Sequence, residues 1–504
     1  MLLFVYMCCR KQRNGGFFMR KAGILMHVSS LASDYGIGTI GKEAYEFVDF
    51  LKRSEQRYWQ ILPLNPTEFG NSPYQSPSVF AGNTLLIDLD ELIADGLLYR
   101  EELNGIFFGA DAEKVDYSAV RAYKPELLKK AFARFHINSE YTKFTTENDY
   151  WLAGYALYMA LKEHFEGKPW YEWEEDIKNC KPDAVKKYSA ALWDKIEFYK
   201  FGQYIFFRQW NRLKTYTNEN GVEIIGDIPI YVALDSADVW TNMNYFQLDK
   251  DKKPKNVAGC PPDAFCMDGQ LWGNPLYDWK AIKQSGYVWW IHRIKESRKL
   301  YDVIRLDHFR GLESYYAIPA EDENAKNGVW EKGPGAAFFK AVKKHVPGVR
   351  IIAEDLGHLT DEVYDLLDEC GFPGMKILQF AFDPYNDNPY LPYNYCENCV
   401  AYTGTHDNDT LIGWYANETN KEFIRDYLNV ATDEWVPAAM IRTVLASRAK
   451  TAIIPIQDYL GSGRRMNTPS TANEENWSYR ITKGALHDGI AYNIAHLTKL
   501  YKRA

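Results

Sequence analysis

Short apolar runs recur along the chain, and several of them stop abruptly at an acid. The clearest is Val303-Ile304-Arg305-Leu306-Asp307-His308-Phe309-Arg310-Gly311, which reads as a buried strand that delivers a carboxylate. Strand alternation places Arg305 and Asp307 on one face, where the guanidinium favours the ionised form of the acid. A strand-end aspartate standing alone more often caps the next helix. Here the design is repeated at Ile351-Ile352-Ala353-Glu354-Asp355-Leu356-Gly357, at Val400 to His406-Asp407, and at Glu223 to Val232, where Asp227 is the acid and Pro229 ends the ladder. Runs at 23–27, 59–64, 374–382 and 451–456 bring the candidate strands to eight. Most are separated by helical periodicity, as in 42–53 with Ala44, Phe47, Val48 and Leu51 and again in 361–370. The pattern predicts an α/β fold, a (β/α)8 barrel, in which all acid-bearing strand ends converge on one face.

Three long stretches rich in Gly, Pro, Ser, Asn and aromatic residues, 65–83, 257–279 and 460–477, read as loops over that face. From 85 to 222 the pattern becomes amphipathic helices loaded with Tyr, Trp, Lys and Glu, which predicts a helical subdomain inserted in a barrel running from 23 to 504. Residues 1–22 are apolar, then basic, without a secretory cleavage site. They read as an extension outside the fold, a product of initiation upstream of Met19 rather than a transit-like segment.

Composition narrows the ligand. Aromatic residues make up 15% of the chain, with 36 Tyr and 15 Trp, and planar rings stack on sugars and nucleobases alike. A net charge of -8 disfavours nucleic acid. No apolar run is long enough to span a bilayer, and eight unevenly spread cysteines do not form a secreted disulfide framework, so a cytoplasmic location is expected. Cys396-Glu-Asn-Cys399 has the spacing of half a zinc site or a redox pair, but no second half completes it, and free thiols are expected.

Converging acids allow two chemistries. One is a metal-dependent lyase or isomerase ligated by Asp307, Glu354, His406, Asp407 and His308. The other is glycoside chemistry, in which one carboxylate attacks the anomeric carbon, another protonates the leaving oxygen and a third steadies the charged transition state. Arg305 separates them, because a cation beside Asp307 repels a divalent metal and suits a carboxylate nucleophile. The residues alone do not choose between Glu354 and Asp355.

Arg305-Leu-Asp307-His-Phe-Arg-Gly311, Ala353-Glu-Asp-Leu-Gly357, Gly404-Thr-His-Asp-Asn408 and Trp272-Gly-Asn-Pro-Leu-Tyr277 resemble the 4-α-glucanotransferases called amylomaltases or disproportionating enzymes, of the α-amylase clan. The resemblance runs from about Lys21 to the C-terminus. It implies that Asp307 is the nucleophile, Glu354 the general acid/base and Asp407 the transition-state stabiliser, with Arg305 holding Asp307. His406, Asp227 and Asn467 match positions that contact sugar at the cleavage site. Tyr74 looks like the ring stacked on that sugar, with Ser72 and Ser76 nearby, and Trp272 and Phe380 are placed in the substrate groove. Core packing is the ordinary alternative for Trp272 and Tyr74. Where some members carry an aromatic residue in a glucan-gripping loop, this chain has Ala264, so acceptor binding or product size is expected to differ.

The implied reaction is retaining transfer of α-1,4-glucan segments to the 4-hydroxyl of an acceptor glucan or glucose, with no cofactor and no metal. The implied partners are α-1,4-glucans and maltooligosaccharides, with no nucleic acid, membrane or obligate protein partner. An α-glucan hydrolase on the same scaffold and a catalytically inactive glucan-binding protein are the alternatives, the second disfavoured because all three carboxylates are present.

Overall fold

A computed structural model describes residues 20–262, 267–357, 359–471 and 473–504, and for Phe69 the backbone only. The loop position Ala264 and residues 1–19 lie outside the described residues. In chain order the strands are β1 (Lys21–Leu25), β2 (Tyr58–Gln60), β3 (Glu223–Ile228), β4 (Asn256–Cys260), β5 (Gln270–Pro275), β6 (Val303–Leu306), β7 (Ser314–Pro319), β8 (Val329–Lys332), β9 (Ile351–Ala353), β10 (Gly374–Ile377), β11 (Cys399–Tyr402) and β12 (Thr451–Pro455).

Eight of them run parallel in the order β10-β11-β12-β1-β2-β3-β6-β9. The ring closes where Ala353 N donates to Pro373 O at 2.9 Å, joining β9 to the start of β10. This is the barrel that the apolar runs predict, and its strands are almost wholly buried because helices cover the outside while side chains fill the interior. Close approach is built into the sequence at one point of the ring. A Cβ on Gly23 would lie 2.5 Å from Tyr58 Cβ and 2.7 Å from Ile453 Cδ1, so β1 fits between its neighbours only as glycine.

Several strands are shorter than the apolar runs that announce them. After Ile377 the backbone turns into a short 3-10 segment at Leu378–Phe380, which removes Phe380 from the sheet. Pro229 does end β3, and the carbonyls beyond it are held by the buried Arg293, whose guanidinium donates to Pro229 O and, at 3.2 Å, to Ile230 O.

The stretch 257–279 is not the loop its Gly/Pro content suggests. Its described residues include most of β4 and all of β5, part of a separate antiparallel sheet in the order β5-β4-β7-β8. The central strand β4 pairs with β7 in the register Gly259↔Tyr316, a partner far along the chain that no local periodicity reveals. Gly259 is a strand residue for steric reasons, since a Cβ there would meet Gln270 O at 2.1 Å.

Between β2 and β3 the chain runs through helices, among them Tyr117–Arg134, Asp149–His164 and the 27-residue Trp193–Glu219, and forms no strand among the described residues. These helices pin two of the loops on the acid-bearing face. Gln203 brackets Gly82 with bonds of 2.7 and 2.9 Å to its N–H and carbonyl, and Arg121 donates to Thr67 O at 2.7 Å and to Asn71 Oδ1 at 3.2 Å. On the loop at 460–477, Tyr117 Oη donates to Trp477 O at 3.0 Å, and just before that helix and just past that loop Val115 N donates to Ser478 O at 2.7 Å.

Candidate active site

The C-terminal ends of β3, β6, β9 and β11 bring Asp227, Asp307, Glu354 and Asp407 to one face. Asp227 and Arg305 sit directly opposite each other in the pairing of β3 with β6. Arg305, 3% exposed, donates through one nitrogen to Asp227 Oδ2 at 2.6 Å and to Asp307 Oδ1 at 3.0 Å. The guanidinium therefore fills the place between two acids that a divalent cation would need. Asp227 is fully buried and burial pushes its carboxyl up, whereas Asp307 keeps 29% of its side chain open to the pocket.

Glu354 and Asp355 part company at once. Glu354 turns toward Asp307, accepting from His308 N at 2.7 Å and from Leu356 N at 2.9 Å. His308 itself has a left-handed backbone, φ 48°. Burial and then the charge of Asp307 push Glu354 up to about 8, against the pull of Arg305 and the two backbone donors. Asp355 points away, accepting from Met375 N at 2.5 Å and lying where a Cβ on Gly374 would strike it at 2.3 Å. Its carboxylate pins β10, and geometry alone selects Glu354 for the pocket.

On the opposite side Asp407 accepts from Asn467 Nδ2 at 2.7 Å and lies 3.2 Å from His406 Nε2. Desolvation works to raise its carboxyl, but His406, Asn467 and Arg305 together hold it well below the usual carboxylate range. Burial works in the same way against a charge on His406, and Asp407 outweighs it, so the imidazole is shifted up. Tyr74 ties the two halves together, its hydroxyl 2.8 Å from both Asp227 Oδ2 and His406 Nε2. Its ring stacks on His406 at 5.4 Å and 13°, with Trp477 tilted against it at 5.6 Å.

The remaining predicted residues lie farther out. Trp272 is half-buried on β5, edge-on to His308 at 4.8 Å, with its indole N–H on Gln270 Oε1 at 3.0 Å. Phe380 is 41% exposed and meets Tyr390 edge-on at 5.5 Å. Ser72 Oγ accepts from Tyr74 N at 3.3 Å, while the buried Ser76 gives its hydroxyl to Ser78 O at 2.9 Å, a bond that shapes the loop. Three residues of the site were not singled out from the sequence. Trp477 closes the stack on Tyr74, Arg465 holds Asp407 O at 2.8 Å and Asn467 O at 2.7 Å, and His27 lies behind His406. Only Arg465 carried a signal, as a cation two residues from Asn467 in a loop over the acids.

A barrel face with one carboxylate paired to a buried arginine and open to the pocket, a second pushed up by burial beside it and aromatic rings alongside defines an enzyme that breaks and remakes glycosidic bonds. Comparison narrows the class. The 4-alpha-glucanotransferase family, glycoside hydrolase family 77, matches residues 26–486. The 4-alpha-glucanotransferase of Streptococcus pneumoniae serotype 4 is 49% identical over 493 residues, 96% of this chain and 97% of that one. That of Clostridium butyricum is 46% identical over 486 residues, 95% of this chain and all of the relative. The amylomaltase of Streptococcus agalactiae, solved in complex with acarbose, superposes with a TM-score of 0.94 at 41% identity, covering 96% of this chain and all of that one. The chain belongs to the 4-alpha-glucanotransferase family, and its activity is the retaining transfer of α-1,4-glucan segments. No described helix is long and apolar enough to cross a membrane.

Proposed function

We propose that Asp307 is the nucleophile of this transfer, Glu354 its general acid and base, and Asp407 the group that stabilises the charged transition state, with maltooligosaccharides as donors and acceptors. The observation that carries the assignment is the contrast between neighbours: Asp307 is charge-paired at 3.0 Å to Arg305 and open to the pocket, while Glu354 beside it is buried and pushed up to about 8. Two neighbouring acids in such different surroundings take opposite parts in a double displacement. An Asp307 oxygen bonds to the anomeric carbon as the glycosidic bond breaks, and the Glu354 proton goes to the departing 4-oxygen. Glu354 then takes the proton of the acceptor 4-hydroxyl as that oxygen displaces Asp307. Asp407, steadied by Asn467 and His406, faces the positive charge that builds on the sugar ring.

Arg305, Asp227, His406 and Asn467 hold the sugar at the cleavage point together with Tyr74 and, around the turn that carries it, Ser72 and Ser76. Trp272 and Phe380 extend the groove on either side. Transfer must outcompete water, which demands a site that admits acceptor and excludes solvent. The ties from the helical segment to the loops at 65–83 and 460–477 support that cover.

Incubation with maltotriose tests the reading. Glucose and a ladder of longer maltooligosaccharides are expected, with total reducing ends nearly constant; rising reducing ends without longer products would make the protein a hydrolase, and no turnover would make it a binding protein. The role of Glu354 has its own signature in pH. Turnover requires its proton, so kcat falls as pH rises through about 8. Glu354→Gln removes that limb along with activity on maltotriose, and a maltosyl donor with a fluoride leaving group, which needs no proton, recovers part of the rate. Equal losses on both donors would contradict an acid role.

A further inference from the structure

We infer that the cavity behind His406 is a built site for one water molecule, held between His406 Nδ1, His27 Nδ1 and Ser30 Oγ, and that His27 and Ser30 act through this water as positioning residues for His406 and Asp407. The inference rests on the reading of Asp407 as transition-state stabiliser. The cavity has a volume of about 20 Å3 and lies where the loops after β1 and β11 meet, with Leu25, Leu62, Ile456 and Met466 among its apolar walls. That volume suits a single water. His27, Ser30 and His406 are 7%, 0% and 5% exposed, all three line the cavity, and the three named atoms form no hydrogen bond to any protein group. Buried polar atoms are costly when left unbonded, and a water making about three bonds to such groups is the usual solution in a polar cavity.

The donors and acceptors are consistent with this site. Tyr74 Oη must donate to the carboxylate Asp227 Oδ2, so it receives its second bond from His406, and the Nε2 atom of His406 carries a proton. The same Nε2–H faces Asp407 Oδ2 at 3.2 Å. Nδ1 is then the free end of the ring. His406 is faced by Asp407 from its own loop, Asp227 from β3, Arg305 from β6 and His27 from the end of β1. Burial takes His27 down to about 3, so it stays neutral, and its Nδ1 needs one partner as donor or as acceptor. A water there bridges His406 Nδ1 to His27 Nδ1 and Ser30 Oγ, the three buried atoms that no protein group satisfies. The ring plane of His406 is thereby fixed from behind, and with it the carboxylate and phenol that it holds in front.

The test is a crystal structure of the wild-type protein at a resolution that shows ordered water, with kinetics of His27→Leu, His27→Asn and Ser30→Ala on maltotriose. One water within about 3 Å of all three atoms is expected; a cavity without water density overturns the site. His27→Leu is expected to lower kcat on the order of tenfold with KM within about twofold, the pattern of a group that orients a catalytic side chain through an intermediary. Asn places a polar atom where Nδ1 lies and is expected to stay within about threefold of wild type. Wild-type kcat in His27→Leu, or equal losses in the Leu and Asn variants, overturns the positioning role. Where the Leu variant does not fold, Ser30→Ala decides, with about a threefold loss of kcat at unchanged KM expected and wild-type kcat overturning the proposal. The water density is independent of the catalytic assignments, so its presence or absence decides the site whether or not those assignments hold.

Discussion

Asp307→Asn lowers transfer from maltotriose on the order of 10⁴-fold or more and leaves glucan binding within about tenfold. The size follows from the part assigned to this oxygen, because an amide cannot form the covalent bond to the anomeric carbon, and no other acid in the pocket is free to replace it. Glu354 is committed to two backbone donors, Asp407 to Asn467 and His406, and Asp227 to Arg305 and Tyr74. The substitution is mild structurally. The amide oxygen still accepts from Arg305, and the buried Arg305 to Asp227 pair, at 2.6 Å, is untouched. Binding therefore persists, and isothermal titration with maltotriose on the variant measures it without turnover. A variant that turns over at the wild-type rate sinks the assignment; one that neither binds nor folds like the wild type would place Asp307 in the framework instead.

The barrel is readable in the sequence because each strand is buried on both faces, so that its run of apolar residues is local, and because the chemistry sits where each run stops. Val303 to Asp307 announces both a strand and its function within a few residues. The antiparallel sheet is not readable in the same way. The pairing of β4 depends on β7, a long way down the chain, and Gly259 and Gly273, which punctuate a loop on local rules, here belong to strands. The choice between Glu354 and Asp355 lay beyond local reading for a related reason. Both follow the same strand, and only the three-dimensional neighbours, His308 N for one and Met375 N for the other, separate them. Trp477 and His27 left no trace in the motif pattern because their role is defined by a ring contact and a cavity.

The opposed acids also explain why the site tolerates so much charge in so little water. Arg305 is the common partner of the pocket: it bonds Asp227 and Asp307, pulls Glu354 down against its burial and helps keep Asp407 ionised. Removing it should therefore cost more than any other single change in the framework. Arg305→Met is expected to lose about 3–5 kcal/mol of stability near neutral pH, the range for breaking a buried ion pair by deleting one partner. Asp227 is the reason. It is fully buried, with Oδ1 already unbonded within the protein, so without the guanidinium its charge has no compensation and its carboxyl rises further above the ordinary value. The folded variant then binds a proton that the unfolded chain gives up, so stability falls as pH rises and is partly restored as pH drops toward the ordinary carboxylate range. Urea unfolding at about pH 5 and about pH 8 reads this slope directly. The double variant Arg305→Met with Asp227→Asn recovers most of the loss, because the amide needs no counter-charge and still accepts from Tyr74. It recovers no activity, since Asp307 has lost the guanidinium that holds its carboxylate in place. A single variant as stable as the wild type at both pH values, or a double variant no more stable than the single, would show that Arg305 is not the electrostatic centre of the site.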